Sequence, residues 1–181
     1  FMTSRNGFSV ETFGYPGTVP VVGDFDGDDI DDYGCYDAAG IPGVVSPGSW
    51  YFMTSSNGFS VETFGYEGTV PDVGDFDADG TDDFGCYDSA GISGLVTPGQ
   101  WYFMKSTEGF DSSVSFGYDG TVPVVGDYDG DGTDDFGCYD AAGIPGAASP
   151  GSWYFMTSSD GFSSAVFGYS GTVPVGSFAV E

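Results

Sequence analysis

An internal repeat constrains this chain more than any other feature of its sequence. An aromatic run, Trp50-Tyr51-Phe52-Met53, returns at Trp101 and at Trp153, at spacings of 51 and 52 residues, and Phe1-Met2 is a truncated copy of it. Between these runs the motifs Gly-Phe, Phe-Gly-Tyr, Gly-Thr-Val-Pro, an acidic loop and Gly-Cys-Tyr-Asp follow in fixed order. A repeat of this length indicates one structural unit copied about three and a half times.

Each repeat predicts four short strands. In the second repeat we place them at 70–76, 83–88, 101–106 and roughly 112–118, in segments rich in Val, Phe, Tyr and Thr. No segment has an apolar period of about 3.6 residues, so we expect almost no helix. The first strand of each unit opens with a proline, whose missing N–H is tolerated at a strand start or a sheet edge. These prolines are Pro20, Pro71, Pro123 and Pro174.

Four strands in roughly every 50 residues fit a β-propeller blade better than a solenoid turn, which takes about 20 to 30 residues. We therefore predict an all-β fold of propeller-type, four-stranded blades in a single repeat domain, residues 1–181. Its parts are a partial unit at 1–18, repeats at about 19–69, 70–121 and 122–172, and a terminal strand at 173–181. We expect the incomplete ends to be completed by closure within the chain or by neighbouring subunits, because unpaired strand edges recruit partners.

The charge of the chain excludes several classes of function. It has 28 acidic residues, 2 basic residues and no histidine, which gives a formal net charge of -26. Such a surface repels phosphate backbones, so we expect no nucleic-acid partner. No apolar stretch approaches the roughly 18 residues of a spanning helix, so we expect no membrane insertion. Without histidine the Ser-His-Asp and Cys-His catalytic sets are impossible, and we expect no enzyme.

Three acidic loops predict metal sites. Each has aspartate at loop positions 1, 3, 5 and 9, and these carboxylates, with the backbone carbonyl of position 7, can converge on one hard cation such as Ca²⁺. Carboxylates this close repel one another when no cation is bound, so the ion would stabilise the fold. The predicted ligands are Asp24, Asp26, Asp28, Ile30 and Asp32, then Asp75, Asp77, Asp79, Thr81 and Asp83, then Asp127, Asp129, Asp131, Thr133 and Asp135.

The alternative interpretation of these loops is a set of solvated acidic turns, which the threefold repetition in register disfavours. An EF-hand is also disfavoured, because position 12 is a cysteine in every loop and the flanks are strand-like. The loops differ in their turn residues. Asp29 replaces the glycine found at position 6 of the other two loops, which predicts a less favourable turn, and Ala78 at position 4 is taken as a milder change.

The segment from Val122 to Phe136, followed by a Trp-Tyr strand and a Phe-Gly-Tyr-x-Gly-Thr-Val-Pro junction, resembles the FG-GAP repeat (integrin-alpha-like, VCBS-type). The resemblance covers nearly the whole chain. It implies a calcium-stabilised propeller on extracellular or cell-surface proteins, with roles in adhesion and sometimes sugar binding, and aspartate ligands at loop positions 1, 3, 5 and 9. The chain departs from the family pattern in the longer Gly/Pro-rich segment at 39–49 and its equivalents, and in its small number of repeats.

Two other sets of repeated residues have a structural and a functional interpretation. Cys35, Cys86 and Cys138 are odd in number and recur at equivalent positions, so we interpret them as buried apolar residues rather than disulfide partners or zinc ligands. The three tryptophans are more often core residues, but an exposed tryptophan would stack on sugar rings.

These observations favour an extracellular or cell-surface, calcium-stabilised structural or adhesion protein. We expect it to form homo-oligomers or fibres through its incomplete terminal strands, with glycans or other surface proteins as further candidate partners. A carbohydrate-binding propeller is the alternative. An acid-dyad glycosidase is a weaker third hypothesis, because the aspartates are better employed on calcium.

Overall fold

The computed structural model describes residues 2–3, 7–8 and 10–175. These residues form strands, turns and loops and no helix, which confirms the all-β prediction. A two-stranded sheet pairs β1 (Met2–Thr3) with β2 (Gly7–Phe8), and three four-stranded antiparallel sheets follow. The first sheet contains β3 (Val19–Gly23), β4 (Asp32–Asp37), β5 (Ser49–Thr54) and β6 (Gly58–Thr63). The second contains β7 (Val70–Gly74), β8 (Asp83–Asp88), β9 (Gln100–Lys105) and β10 (Gly109–Ser115). The third contains β11 (Val122–Gly126), β12 (Asp135–Asp140), β13 (Ser152–Thr157) and β14 (Gly161–Val166).

The four predicted strands of the second repeat are all present, but the fourth was placed too far along the chain. Pairing with β9 begins at Gly109, directly after the turn, and ends at Ser115. The Phe116-Gly117-Tyr118 motif lies outside the strand, because Gly117 has a φ of 120° and the chain turns towards the next sheet. Residues 173–175 form no strand, and the rest of the predicted terminal strand, 176–181, lies outside the described residues.

Each sheet is ordered as its strands are ordered in sequence, so its first and fourth strands are edges. The first strands of successive sheets lie side by side, since β7 contacts both β3 and β11. Pro20, Pro71 and Pro123 lie in these edge strands, where the ladder does not need the missing N–H, as predicted.

Aromatic side chains hold successive sheets together. Trp50 and Phe52 of the first sheet pack on Phe84 of the second, with ring centroids 5.0 and 5.3 Å apart. Trp101 and Phe103 repeat this contact against Phe136 of the third sheet, at 5.3 and 5.2 Å. Both tryptophans are fully buried, which confirms their interpretation as core residues. One face of each sheet therefore becomes core only when the next sheet covers it.

Short linking segments, each containing Phe-Gly-Tyr, carry the chain from the last strand of one sheet to the first strand of the next. The Trp50 indole donates a hydrogen bond to the Phe64 carbonyl at 2.8 Å, and the Tyr66 hydroxyl donates to Asp88 Oδ2 at 2.6 Å. Asp88 ends the Gly-Cys-Tyr-Asp motif, and its counterparts Asp37 and Asp140 make the same contact. The aspartate of that motif is thus a fixed part of the junction between repeats.

The three cysteines are free and buried. Burial raises the pKa of the Cys86 thiol to about 12 and that of Cys138 to about 11, so both stay protonated and unreactive at neutral pH. Their interpretation as small buried apolar residues is confirmed.

Asp72 breaks the repeat at a buried position. It lies in β7 opposite Gly85, where the first and third sheets carry Val21 and Val124. The side chain is 7% exposed, and Asp72 Oδ2 has no hydrogen-bond partner among the described residues. Burial raises the pKa of this carboxyl well above its ordinary value of 3.8.

We predict that Asp72→Val raises the free energy of unfolding at neutral pH by roughly 1 to 3 kcal/mol, because it removes an unpaired buried carboxyl. The folded state binds the Asp72 proton more tightly than the unfolded state does. The free energy of unfolding of the wild type should therefore fall as pH rises from about 3.8 towards the raised folded pKa of Asp72. The variant has no carboxyl at this position, so its stability should fall less over the same pH range. Urea denaturation of both proteins at several pH values measures the difference.

The matched control is Val124→Asp, which places the same carboxyl at the equivalent, 4% exposed position of the third sheet. It should be destabilised at neutral pH and recover on acidification. An Asp72→Val protein no more stable than wild type would contradict the assignment of Asp72 as an unpaired buried group.

Candidate metal centres

The three acidic loops connect the first strand of each sheet to the second. The aspartate at loop position 1 shapes each loop by accepting backbone hydrogen bonds. Asp24 Oδ1 accepts from the N–H groups of Gly27 and Asp28, at 2.7 and 3.1 Å, and Asp24 Oδ2 accepts from Asp29 N–H at 2.7 Å. Asp127 accepts the three equivalent bonds in the third loop, and Asp75 accepts two of them, from Asp79 and Gly80, in the second. The loop backbone is thus wrapped around its first carboxylate.

The structure brings together the carboxylates of positions 1, 3 and 9 in every loop. In each set the three candidate ligand oxygens lie within 4.8 Å of one another. The sets are Asp24, Asp26 and Asp32 in the first loop, Asp75, Asp77 and Asp83 in the second, and Asp127, Asp129 and Asp135 in the third. The position-9 aspartates are the most buried members, at 1 to 3% exposure.

The turn between the third and fourth strands of each sheet closes over these carboxylates. In the first sheet, Ser55 N–H donates to Asp32 Oδ1 at 2.7 Å, and Ser56 N–H donates to Asp26 Oδ2 at 2.8 Å. The third sheet repeats both contacts through the N–H groups of Ser158 and Ser159. In the second sheet Ser106 N–H donates to Asp83, and the Thr107 hydroxyl, in place of an N–H group, donates to Asp77. This turn was not predicted from the sequence, although its hydroxyl residues recur in all three complete repeats.

The predicted carboxylate ligands at position 5 are not among these clustered carboxylates. The position-5 carboxylates accept hydrogen bonds from hydroxyls of the covering turn, with Asp28 Oδ2 2.6 Å from Ser55 Oγ and Asp79 Oδ2 2.8 Å from Ser106 Oγ. Asp131 does the same with Ser158, and these bonds lower the pKa of all three carboxyls. At position 7, the N–H groups of Ile30, Thr81 and Thr133 donate back to the position-5 carboxylates. Positions 5 and 7 thus close the turn.

The first two clusters hold carboxylate oxygens that the described residues do not compensate. Asp26 Oδ1, Asp77 Oδ1 and Asp32 Oδ2 are buried and have no hydrogen-bond partner among the described residues. Burial, with the nearby charges of Asp77 and Asp75, raises the pKa of Asp83 to about 6. Burial and the charge of Asp26 also raise the pKa of Asp32. These carboxylates are therefore poorly compensated.

A hard divalent cation fits this donor set. Carboxylate oxygens are the ligands that Ca²⁺ and Mg²⁺ prefer, whereas zinc and copper sites use nitrogen or sulfur ligands that these loops lack. An ion among the three carboxylates would coordinate the unpartnered oxygens and offset their repulsion. Calcium suits an all-oxygen loop of this flexibility better than magnesium, which requires near-ideal octahedral geometry.

The sequence matches no known family model, and no curated protein is significantly similar to it. The described ranges contain no helix of the length and apolar character needed to cross a membrane.

The aspartate at loop position 8, which sequence analysis did not single out, connects neighbouring loops. Asp82 of the second loop donates its N–H to the Asp24 carbonyl at 2.7 Å, and Asp82 Oδ2 accepts from Asp24 N–H at 2.8 Å. Asp134 makes the same pair of bonds to Asp75. Gly23 lies at this contact, because a Cβ there would come within 2.5 Å of Asp82 Oδ2. The first and second candidate metal centres are thus each bonded to the next sheet.

Two residues adopt left-handed backbone conformations in positions that favour glycine. Asp29 has a φ of 62° and Ala78 a φ of 59°, whereas glycines occupy the equivalent positions of the third loop. Aspartate tolerates this region better than alanine does, since its short polar side chain can hydrogen-bond locally. We therefore expect Ala78 to be the more costly departure of the two, the reverse of the order expected from the sequence.

We predict that Ala78→Gly raises the free energy of unfolding by about 1 kcal/mol, because glycine adopts this φ without steric cost. Gly130→Ala is the reverse substitution at the same position of the third loop and should lower stability by a similar amount. A Cβ on Gly130 would have no neighbour within 4 Å, so any loss of stability in this control comes from the backbone conformation and not from a steric clash. Urea denaturation of both variants measures the effect, and shifts of the same sign would refute this account.

Proposed function

We propose that this chain is a non-catalytic structural or adhesion protein of the extracellular space or cell surface, stabilised by one Ca²⁺ ion in each acidic loop. The observation that carries the proposal is the threefold recurrence of one arrangement, in which carboxylates at positions 1, 3 and 9 are closed by a hydroxyl-rich turn. The first two of these loops are also bonded to the next sheet. Extracellular calcium is about millimolar, a level that suits sites of modest affinity.

The architecture supports a scaffold role. Three four-stranded sheets with adjacent first strands are the arrangement expected of successive propeller blades. The resemblance of the loops to FG-GAP repeats supports the same interpretation. In this arrangement calcium would act by pinning each loop, and through the position-8 aspartate it would also strengthen the junction between neighbouring sheets.

The carbohydrate-binding alternative receives less support. It required exposed tryptophans, but Trp50 and Trp101 are fully buried between sheets and cannot stack on a sugar ring. Trp153 is half-buried.

We predict that calcium raises the melting temperature of the chain by several degrees relative to excess EDTA. At millimolar calcium and site affinities of about 0.1 to 1 mM, each site would contribute roughly 0.5 to 2 kcal/mol. Asp77→Asn should reduce the calcium-dependent rise by about a third, since three similar and separate sites contribute. The same variant in EDTA should be at least as stable as wild type, because it removes an unpartnered buried carboxylate oxygen.

The matched control is Asp119→Asn, which makes the same change of charge at an exposed aspartate outside the loops. It should keep the full calcium response. An Asp77→Asn response equal to that of wild type, or a wild-type melt that calcium does not change, would rule out the proposed sites.

A further inference from the structure

Two clefts of the same construction lie at the junctions between sheets. The first cleft, between the first and second sheets, has a volume of about 290 Å³. The second cleft, between the second and third sheets, has a volume of about 180 Å³. Each lies beside a candidate metal centre, because Asp83 lines the first cleft and Asp135 lines the second.

An aromatic wall is common to both clefts. In the first cleft the centroid of the Phe52 ring lies 4.6 Å from that of Phe25 and 5.3 Å from that of Phe84. In the second cleft the equivalent distances are 4.7 and 5.2 Å. The position-8 aspartate follows the same pattern, with Asp82 in the first cleft and Asp134 in the second. The two clefts can therefore be compared residue by residue.

The second cleft holds an ammonium group of the protein itself. Lys105 lines this cleft, and its Nζ lies 3.2 Å from Asp111 Oδ2. The Lys105 side chain is only 18% exposed, so most of its alkyl chain is covered while its charged end is paired. The second cleft therefore shows that a cleft of this construction accommodates a primary alkylammonium.

The first cleft has the same aromatic wall but lacks that ion pair. Thr54 occupies the position of Lys105, since each ends the third strand of its sheet. Ser60 occupies the position of Asp111, since each follows the Gly-Phe pair of the fourth strand. Both replacements have shorter side chains, and the first cleft is the larger of the two.

The first cleft also carries negative charge that no lining residue offsets. Its carboxyls are those of Glu62, Asp82 and Asp83, and none of the described residues that line it is basic. Glu62 replaces Val114 of the second cleft, since each pairs with the tryptophan of the third strand. Glu62 follows Ser60 by two positions in β6, so both side chains point to the same face of the strand. Asp83 is a candidate calcium ligand, but Glu62 and Asp82 lie outside that set.

We infer that the first cleft binds a small organic cation, a primary alkylammonium with a chain about as long as the lysine side chain. Its alkyl chain would lie against the aromatic wall, and its ammonium group would be held by Glu62 and Asp82. Aromatic rings attract cations through their π faces, and carboxylates form charge-assisted hydrogen bonds with ammonium groups. The inference rests on the comparison with Lys105 and does not require calcium in the loops.

The experiment is a titration of the isotope-labelled protein with n-pentylammonium, followed by the amide signals in NMR spectra at physiological ionic strength. The amine is fully protonated at pH 7. Saturating calcium is present so that the amine does not compete for the acidic loops. Saturable shifts should be confined to residues at the first cleft. The neutral molecule of the same chain length, 1-pentanol, should bind several-fold more weakly, because it has no charge for the rings and carboxylates to attract.

The decisive variant transfers the ion pair of the second cleft into the first. Thr54→Lys combined with Ser60→Asp should abolish binding, because the introduced lysine side chain would occupy the cleft. The second sheet already carries these two residue types at the equivalent positions, so we expect the variant to fold. Glu62→Gln should weaken binding by about threefold, since it removes one partner of the ammonium group. The matched control, Glu67→Gln, changes an exposed glutamate outside the cleft and should bind like wild type.

Four results would overturn this inference. They are the absence of saturable shifts in wild type, wild-type affinity in the double variant or in Glu62→Gln, equal binding of 1-pentanol and the amine, and shifts spread over all three acidic loops. If the double variant does not fold, Glu62→Gln and the alcohol still decide. If calcium raises the melting temperature and the amine does not bind, this inference fails and the calcium proposal stands. Binding of the amine to a protein whose melting calcium does not change would have the opposite meaning.

Discussion

Burial of the aromatic face of each sheet by the next sheet is the contact on which the rest of the structure depends. A single four-stranded unit cannot bury its tryptophan, because Trp50 becomes inaccessible only under Phe84 and the linking segment at Phe64. The indole N–H is satisfied at the same place by the Phe64 carbonyl, so one residue carries both the apolar and the polar part of the junction. Repetition is therefore a requirement of this sequence, since only neighbouring repeats complete one another.

The acidic loops belong to the same junction. Asp82 and Asp134 each bond to the loop of the preceding sheet, and Gly23 and Gly74 keep the space that those carboxylates need. Under the proposed function, an ion bound at positions 1, 3 and 9 would order the loop that holds the next sheet in place. Metal binding and sheet packing would then be coupled through hydrogen bonds between residues that are 58 or 59 positions apart in the sequence.

Much of the fold could be predicted from the sequence, because its signals are local. Strand composition, edge prolines and glycine turns fixed the number and type of elements, and the spacing of aspartates placed three carboxylates of each set in one cluster. Spacing could not give side-chain direction, so it did not show that Asp28 and its equivalents are bonded to serines of another turn. Asp82 and Asp72 were missed because their roles depend on which sheet faces them, and a single repeat does not contain that information.

The distribution of negative charge connects the folding of each acidic loop to the packing of neighbouring sheets. Six aspartates lie in the first loop and five in each of the others, so most of the acidic residues are concentrated in three loops next to the sheet junctions. Concentrated charge of one sign opposes both the folding of each loop and the approach of the neighbouring loop at a sheet junction. A divalent cation bound in the loops would relieve both forms of repulsion at once. Under the proposed function, the folding of each loop and the packing of neighbouring sheets would then respond to the same calcium concentration, because the same carboxylates limit both.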